Sequence, residues 1–218
     1  MDLLAQLIDV FLHLDRHLAE VIAHYGVWTY ALLFLIVFCE TGLVVTPILP
    51  GDSLLFAAGT FAGIGSLDLR VLLVLLIAAA VAGDAVNYSI GRYMGPRVFT
   101  HQGGRFLRRE YLDRTHAFYE KYGGKTIILA RFVPIVRTFA PFVAGVGSMT
   151  YWRFASYNVI GAVAWVSLCL LAGQAFGNVT VVREHFSLAI LGIVFVSILP
   201  GIFEYLRHRR DAAQRARA

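Results

Sequence analysis

The stretch ETGLVVTPILPGD, residues 40–52, interrupts a long apolar region and decides how the chain can fold. It separates two apolar arms, and each arm is shorter than the roughly 20 residues that cross a bilayer as a helix. Pro47, Pro50 and Gly51 oppose a continuous helix. At membrane depth such irregular backbone is tolerated only where protein or a water-filled cavity surrounds it. We therefore predict that residues 27–65 form a re-entrant helical hairpin.

The composition of the whole chain indicates a membrane protein. Hydrophobic residues make up 58% of the 218 residues, charged residues make up 15%, and the mean hydropathy is +0.69. A soluble chain of this length has no core large enough to bury so much apolar surface. The net charge of +5 does not indicate nucleic-acid binding, because the basic residues flank apolar segments and no nucleic-acid-binding motif accompanies them. No CxxC or Cys/His cluster occurs, so we expect neither a metal nor a cofactor.

The remaining segments predict an all-α polytopic membrane protein built as one membrane domain. In chain order we expect an amphipathic interfacial helix (1–25), the first hairpin (27–65), a transmembrane helix (69–91), a basic cytoplasmic segment (92–125), a second re-entrant hairpin (126–149), two more transmembrane helices (154–176 and 188–206) and a basic cytoplasmic tail (207–218). The second hairpin is expected because Pro134, Pro141 and Gly145 interrupt an apolar stretch.

The distribution of basic residues predicts the orientation of the chain. The segment 92–125 holds eight of the 19 Lys and Arg residues and the tail is also basic, so both should face the cytoplasm. Because both basic regions lie on the same side, the chain between them must cross the membrane an even number of times. Three apolar segments lie between these regions, so one of the three must enter the membrane and return to the side from which it came. Residues 126–149 are the candidate because of their prolines and arginines. The first hairpin then enters from the opposite face, and the N-terminus is periplasmic.

Small residues suggest that the two hairpins form a repeat. The matching pairs are Ala58-Gly59 with Ala144-Gly145, and Gly91 and Gly95 with Gly173 and Gly177. Hairpins that enter from opposite faces form an inverted-topology pair, which transporters use to build a site near the bilayer midplane.

Four ionisable residues fall inside the broken segments: Glu40 and Asp52 in the first, Arg131 and Arg137 in the second. Such a group at the centre of a membrane helix costs roughly 2.5–3.5 kcal/mol, so these side chains must face one another, water or a ligand. Arginine suits an anionic head group because its planar guanidinium donates two parallel hydrogen bonds to phosphate. We expect the arginines to bind a lipid phosphate and the acids to couple binding to protons. The alternative is a salt-bridge clamp between the hairpins.

Two further charged residues lie near the end of the first predicted span. Asp84 is a third candidate for proton coupling, and a helix-packing hydrogen bond is the alternative for it. Arg92 is interpreted as a positive-inside anchor. None of the seven histidines lies within either hairpin, so a histidine-dependent phosphatase is not indicated and we do not expect an enzyme.

Five motifs in order resemble those of the DedA family, also called the VTT-domain family. They are Glu40-Thr41-Gly42, Pro47-x-x-Pro50-Gly51-Asp52, Gly83-Asp84-x-x-x-Tyr88-x-x-Gly91-Arg92, Arg131-Phe132-x-Pro134-x-x-Arg137 and Ala144-Gly145-x-Gly147-x-Met149, and the resemblance covers about residues 27–177. It implies an inner-membrane protein with two opposed re-entrant hairpins that is linked to the proton motive force. Several members are implicated in returning undecaprenyl phosphate across the membrane, and eukaryotic relatives scramble phospholipids.

The resemblance also implies roles for single residues. The family's essential acid pair matches Glu40 and Asp52, and its essential arginine pair matches Arg131 and Arg137. This sequence departs from the family where Asp52 follows Pro-Gly in place of the more common Glu, which shortens the reach of the carboxylate.

These observations lead to one functional hypothesis with several rivals. We expect translocation of a lipid phosphate carrier, undecaprenyl phosphate by resemblance, across the bacterial inner membrane in a manner linked to the proton motive force. The rivals are a proton or cation antiporter, a general phospholipid scramblase, and a non-transporting assembly factor with a structural ion-pair core. The expected partners are membrane lipids and the polyprenyl phosphate, with no nucleic acid. The sequence leaves homo-oligomerisation open.

Overall fold

The computed structural model describes residues 14–43, 51–99, 125–177 and 179, and within these ranges the ordered elements are all α-helices, with no strand. The helices are α1 (Leu14–Tyr25), α2 (Trp28–Gly42), α3 (Gly51–Gly63), α4 (Leu69–Phe99), α5 (Lys125–Ala130), α6 (Pro134–Val146) and α7 (Tyr151–Gly177). The all-α prediction is therefore confirmed for this part of the chain.

Some of the predicted segments lie outside the described residues. They are the first 13 residues of the predicted interfacial helix, residues 44–50 with Pro47 and Pro50, most of the basic segment (100–124), the predicted span at 188–206 and the tail at 207–218. In the described part of the interfacial segment, α1 buries Leu18 and exposes Glu20 and His24, as expected of an amphipathic helix.

Two helices, α4 and α7, are long and apolar enough to cross a membrane. The apolar stretches are Leu69–Gly95, of 27 residues, and Tyr151–Phe176, of 26 residues. At a rise of about 1.5 Å per residue each exceeds the roughly 30 Å of a hydrocarbon core. The helix α4 continues past Arg92, where the sequence predicted a polar loop. Polar residues such as arginine end an apolar stretch without ending a helix, because their helix propensity is high.

The two broken segments each form a pair of short helices. In the first segment α2 has 15 residues and α3 has 13, whereas in the second α5 has six and α6 has 13. The second break falls immediately before Pro134, where Val133 is extended with φ −115° and ψ 107°. A residue that precedes proline avoids the helical region for steric reasons, which explains the position of the break.

Two residues expected to break the second segment do not do so. Pro141 and Gly145 both lie inside α6. Proline removes one main-chain hydrogen bond, but α6 keeps its helical path through Pro141 because it is packed along α4. Gly145 serves that packing, since a Cβ there would overlap the backbone of Tyr88 and Arg92.

Close glycine contacts join the two halves in an equivalent way. A Cβ at Gly59 of α3 would overlap the backbone of Leu170 in α7, and a Cβ at Gly145 of α6 would overlap that of Tyr88 in α4. The long helices α7 and α4 carry the reciprocal glycines, Gly173 facing Phe56 and Gly91 facing Phe142. The short helix α3 of the first half therefore packs on the long helix α7 of the second half, and α6 of the second half packs on α4 of the first. Both pairs approach to a distance that only small residues permit.

Two apolar clusters leave a polar layer between them. The first cluster includes Leu55, Leu76 and Leu170. The second surrounds Tyr88, whose ring stacks on Phe154 at a centroid distance of 4.4 Å. Along α4 the residues between the clusters include two buried polar side chains, and these belong to the site described next.

Candidate functional site

The ends of the short helices bring the predicted charged residues together. Glu40 lies in the last turn of α2 and Asp52 in the first turn of α3, whereas Arg131 follows α5 and Arg137 lies in the first turn of α6. Asp84 reaches the same region from the middle of α4. All five sequence-predicted residues contribute to one buried cluster, although they are spread over much of the chain.

Arg137 forms the first centre of the cluster because it binds both acids of the first broken segment. Its Nη1 donates to Asp52 Oδ1 at 2.7 Å, and its Nη2 donates to Glu40 Oε1. Its side chain is 9% exposed, against 1% for Glu40 and 18% for Asp52. The Gly51 amide also donates to Glu40 Oε1, at 3.2 Å. A Cβ at Gly51 would overlap the Glu40 carboxylate, so glycine makes room for this contact.

Arg131 forms the second centre, and its acid partner is Asp84. The two side chains, each 5% exposed, form an ion pair through Arg131 Nη2. The same nitrogen donates to Asn158 Oδ1 at 2.9 Å, and Asn158 is oriented by its own bond to Val81 O at 3.1 Å. Asp84 is therefore part of the charged cluster, and its carboxylate pairs with Arg131 in the way that Glu40 pairs with Arg137.

Trp165 of α7 connects the two centres. Its Nε1 donates to Asp52 Oδ1 at 2.7 Å. Its ring lies 4.9 Å from Arg137 Cζ and 5.8 Å from Arg131 Cζ, within the range of cation–π attraction. Trp165 is not among the site residues that the sequence predicted. The available signal was its indole N–H, because a buried tryptophan usually has a hydrogen-bond partner.

Asn87 joins the two broken segments through their backbones. Its Nδ2 donates to Thr41 O at 3.0 Å and to Thr138 O at 2.8 Å, and its side chain is fully buried. Both carbonyls lie within one residue of a member of the first charged centre. Asn87 was not predicted as a site residue, although it lies one turn after Asp84 on the same helix.

The close approach of α2 to α4 explains why these groups meet. Gly42 and Gly83 face each other, and a Cβ at Gly83 would overlap Thr41 Oγ1. The hydroxyl of Thr41 donates to Val37 O at 2.9 Å, which keeps it bonded within its own helix. Because of this contact, the last turn of α2 lies beside the segment of α4 that carries Asp84 and Asn87.

The charges and unpaired atoms of the cluster indicate what it can do chemically. Two arginines face three acids, so the cluster carries a net charge of −1 when all are ionised. Among the described residues, Arg131 Nη1, Arg137 Nε and Glu40 Oε2 are buried without a hydrogen-bond partner. Glu40, Asp84 and both arginines line a cavity of about 10 Å³, room for about one water molecule. The cluster therefore retains donors and an acceptor for a further polar group.

A buried charged cluster at the ends of short helices, held between two helices that are long and apolar enough to cross a membrane, is typical of a helical membrane protein with a polar site at its centre. The model of the VTT domain matches residues 49–175. The chain belongs to this family, the DedA family, and the resemblance that the motifs indicated is confirmed.

Individual relatives agree with this assignment. Protein DedA of Escherichia coli K12 is 61% identical over 219 residues, which cover all of both chains. The uncharacterized membrane protein Rv0364 of Mycobacterium tuberculosis H37Rv is 46% identical over 187 residues, 84% of this chain and 82% of its own. The inner membrane protein YqjA of Escherichia coli K12 is 31% identical over 156 residues, 72% of this chain and 71% of its own. No solved structure matches the chain. The chain is a membrane protein, as its composition predicted.

Proposed function

We propose that this protein moves a lipid phosphate carrier across the bacterial inner membrane and that proton binding at its acids drives the movement. The carrier is a polyprenyl phosphate, and the family resemblance favours undecaprenyl phosphate. The observation that carries the proposal is the double ion pair of Arg137 with Glu40 and Asp52. In this structure the Arg137 guanidinium, whose geometry suits a phosphate, is bound by the carboxylates of Glu40 and Asp52.

Charge balance explains why protons would control phosphate binding. A cluster of net charge −1 repels an anion, whereas protonation of one acid brings the charge to zero and protonation of a second brings it to +1. Protonation of Glu40 or Asp52 also releases a donor of Arg137, which can then bind a phosphate oxygen with a charge-assisted hydrogen bond. Loss of the proton restores the internal ion pair and expels the phosphate. The long isoprenoid tail stays in the lipid throughout, so only the head group needs a polar path.

The proposal includes a topology for the short helices. We propose that α2 with α3, and α5 with α6, are re-entrant hairpins that enter one membrane domain from opposite faces. Their short arms and the equivalent glycine contacts of the two halves support this arrangement. The basic segment 92–125 and the basic tail then lie in the cytoplasm, and the N-terminus lies in the periplasm. Cysteine labelling from each side of sealed vesicles tests these positions.

The experiment that tests transport compares two lipids in proteoliposomes under an imposed pH gradient. Purified full-length protein is reconstituted, and the flipping of undecaprenyl phosphate and of phosphatidylethanolamine is measured. We expect gradient-dependent movement of the phosphate carrier and a loss of at least tenfold with Arg137→Lys, because lysine keeps the charge but loses the bidentate fork. The matched control is Arg70→Lys, since Arg70 is exposed at the start of α4. Full transport by Arg137→Lys refutes the phosphate-binding role.

The same vesicles distinguish the rival functions. A proton flux in vesicles that contain no polyprenyl phosphate supports an antiporter, and equal flipping of both lipids supports a general scramblase. A charge exchange of the whole first centre, Glu40→Arg and Asp52→Arg with Arg137→Glu, largely preserves activity if the ion pairs are only structural and abolishes it if Arg137 binds the head group.

A further inference from the structure

Asp52 differs from the other acids of the cluster in its exposure. Its side chain is 18% exposed, whereas Glu40 is 1% and Asp84 is 5% exposed. Glu40 is also held by the Gly51 amide and enclosed against the start of α3. Asp52 therefore lies at the open edge of the cluster, where a ligand from outside would first meet the protein.

Two donors from two different helices meet on a single oxygen of Asp52. Arg137 Nη1 of α6 and Trp165 Nε1 of α7 each lie 2.7 Å from Oδ1. Asp52 is in the first turn of the 13-residue helix α3, where the helix dipole favours negative charge. These groups form an anion site that is built independently of the carboxylate occupying it.

We propose that the Asp52 carboxylate occupies the position of the lipid head group and acts as a tethered competitor for it. An incoming phosphate displaces Asp52 and accepts the same two hydrogen bonds, from Arg137 Nη1 and Trp165 Nε1. This proposal rests on the proposed function, because it assumes that the ligand is a lipid phosphate. In this proposal the Trp165 N–H donates a hydrogen bond directly to the ligand. The ligand enters the site beside the first turn of α3, where Asp52 lies. No covalent step is involved, since one oxyanion replaces another.

The proposal predicts that removal of an acid strengthens binding. Asp52→Ala removes the competitor and should tighten phosphate binding roughly tenfold or more, while transport slows because the carboxylate that displaces the phosphate from Arg137 Nη1 and Trp165 Nε1 is missing. A general loss of negative charge would also tighten binding, so a second variant is required. In the wild type the Trp165 N–H has an acceptor before and after binding, because phosphate replaces the Asp52 carboxylate as its hydrogen-bond partner. Trp165→Phe should therefore change the affinity by less than about threefold in that background.

In the Asp52→Ala background the same substitution should have a large effect. In this variant the Trp165 N–H no longer has the Asp52 carboxylate as its acceptor, so it gains a hydrogen bond only when phosphate binds. Trp165→Phe should then weaken phosphate binding roughly tenfold. This difference between the two backgrounds is the signature of direct competition, because charge removal alone leaves the effect of Trp165→Phe unchanged.

The experiment is calorimetric titration of the full chain in phosphatidylcholine nanodiscs with farnesyl phosphate, with inorganic phosphate and farnesol as separate arms. Binding of farnesyl phosphate alone identifies a lipid head group, and equal binding of inorganic phosphate overturns the lipid assignment. Matched controls are Asp68→Asn and Trp152→Phe, because both residues are exposed and lie outside the cluster. Thermal unfolding of each variant confirms that it is folded.

The outcomes separate the two proposals. If the wild type binds farnesyl phosphate and Asp52→Ala binds it no more tightly, the tethered-competitor proposal is overturned while the proposed function stands. An equal effect of Trp165→Phe in both backgrounds overturns it as well, and that comparison needs only folded single and double variants. If no folded form of the protein binds farnesyl phosphate, the proposed function itself fails.

Discussion

Removal of the Asp84 carboxylate should destabilise the protein, because Arg131 would remain as a buried charge without its counter-ion. Asp84→Ala would leave a guanidinium that is 5% exposed without its counter-ion. Removal of one partner from a buried pair typically costs about 3–5 kcal/mol. Arg131 would keep its bonds to Asn158 Oδ1 at 2.9 Å and Ala80 O at 3.4 Å, so we expect a value near 3 kcal/mol.

The free energy of unfolding in mixed micelles, measured by titration with a denaturing detergent, provides the assay. The exposed Glu20→Gln serves as the control and should change that free energy by less than about 0.5 kcal/mol. The double variant Asp84→Leu with Arg131→Met should recover most of the loss, since an apolar pair of similar volume replaces the buried charges. If Asp84→Ala costs less than about 1 kcal/mol, the two side chains do not form a desolvated pair and the reasoning is refuted.

Two further substitutions test the contacts that hold the broken segments in place. Gly145→Ala should lower the free energy of unfolding by at least about 2 kcal/mol, because its Cβ would overlap the Tyr88 carbonyl and force α6 away from α4. Asn87→Ala should cost about 1–3 kcal/mol, because it leaves the carbonyls of Thr41 and Thr138 without this donor. The same detergent titration measures both values.

The control for Gly145→Ala is Gly161→Ala, where the nearest atom to a new Cβ is Arg131 Cδ at 3.4 Å, an ordinary contact. Equal destabilisation by the two alanines would contradict the packing argument. A stability of Asn87→Ala within about 0.5 kcal/mol of the wild type would show that the two Asn87 hydrogen bonds do not hold the broken segments in place.

The sequence predicted the members of the charged cluster better than their pairing. Glu40, Asp52, Arg131 and Arg137 could be found because ionisable groups are costly in apolar segments. Their partners could not, because pairing depends on which helix faces which in three dimensions. The assignment of Asp84 to Arg131 follows from the packing of α4, and no spacing in the sequence encodes it.

Of the two prolines expected to interrupt the second segment, only Pro134 lies at a break in the helix. Pro134 lies at the second break because it restricts the residue before it, a local effect that the sequence carries. Pro141 lies inside a helix because packing on a neighbour outweighs one lost main-chain hydrogen bond, which is a tertiary effect. Trp165 was not predicted as a site residue for a related reason: its hydrogen bond to Asp52 joins residues that are 113 positions apart.

The packing of α3 on α7 and of α6 on α4, each on the long helix of the other half, has a consequence for biogenesis. Thr60 of α3 donates to the carbonyl of Gly173 in α7, and Glu40 pairs with Arg137, 97 residues later in the chain. The ribosome therefore delivers both acids of the first segment to the membrane long before their arginine partners exist. During that interval the acids must stay hydrated or protonated, either at the bilayer surface or within the insertion machinery. The first half therefore cannot reach its final structure before α6 and α7 have been synthesised, because its contacts to Arg137 and Gly173 form only then.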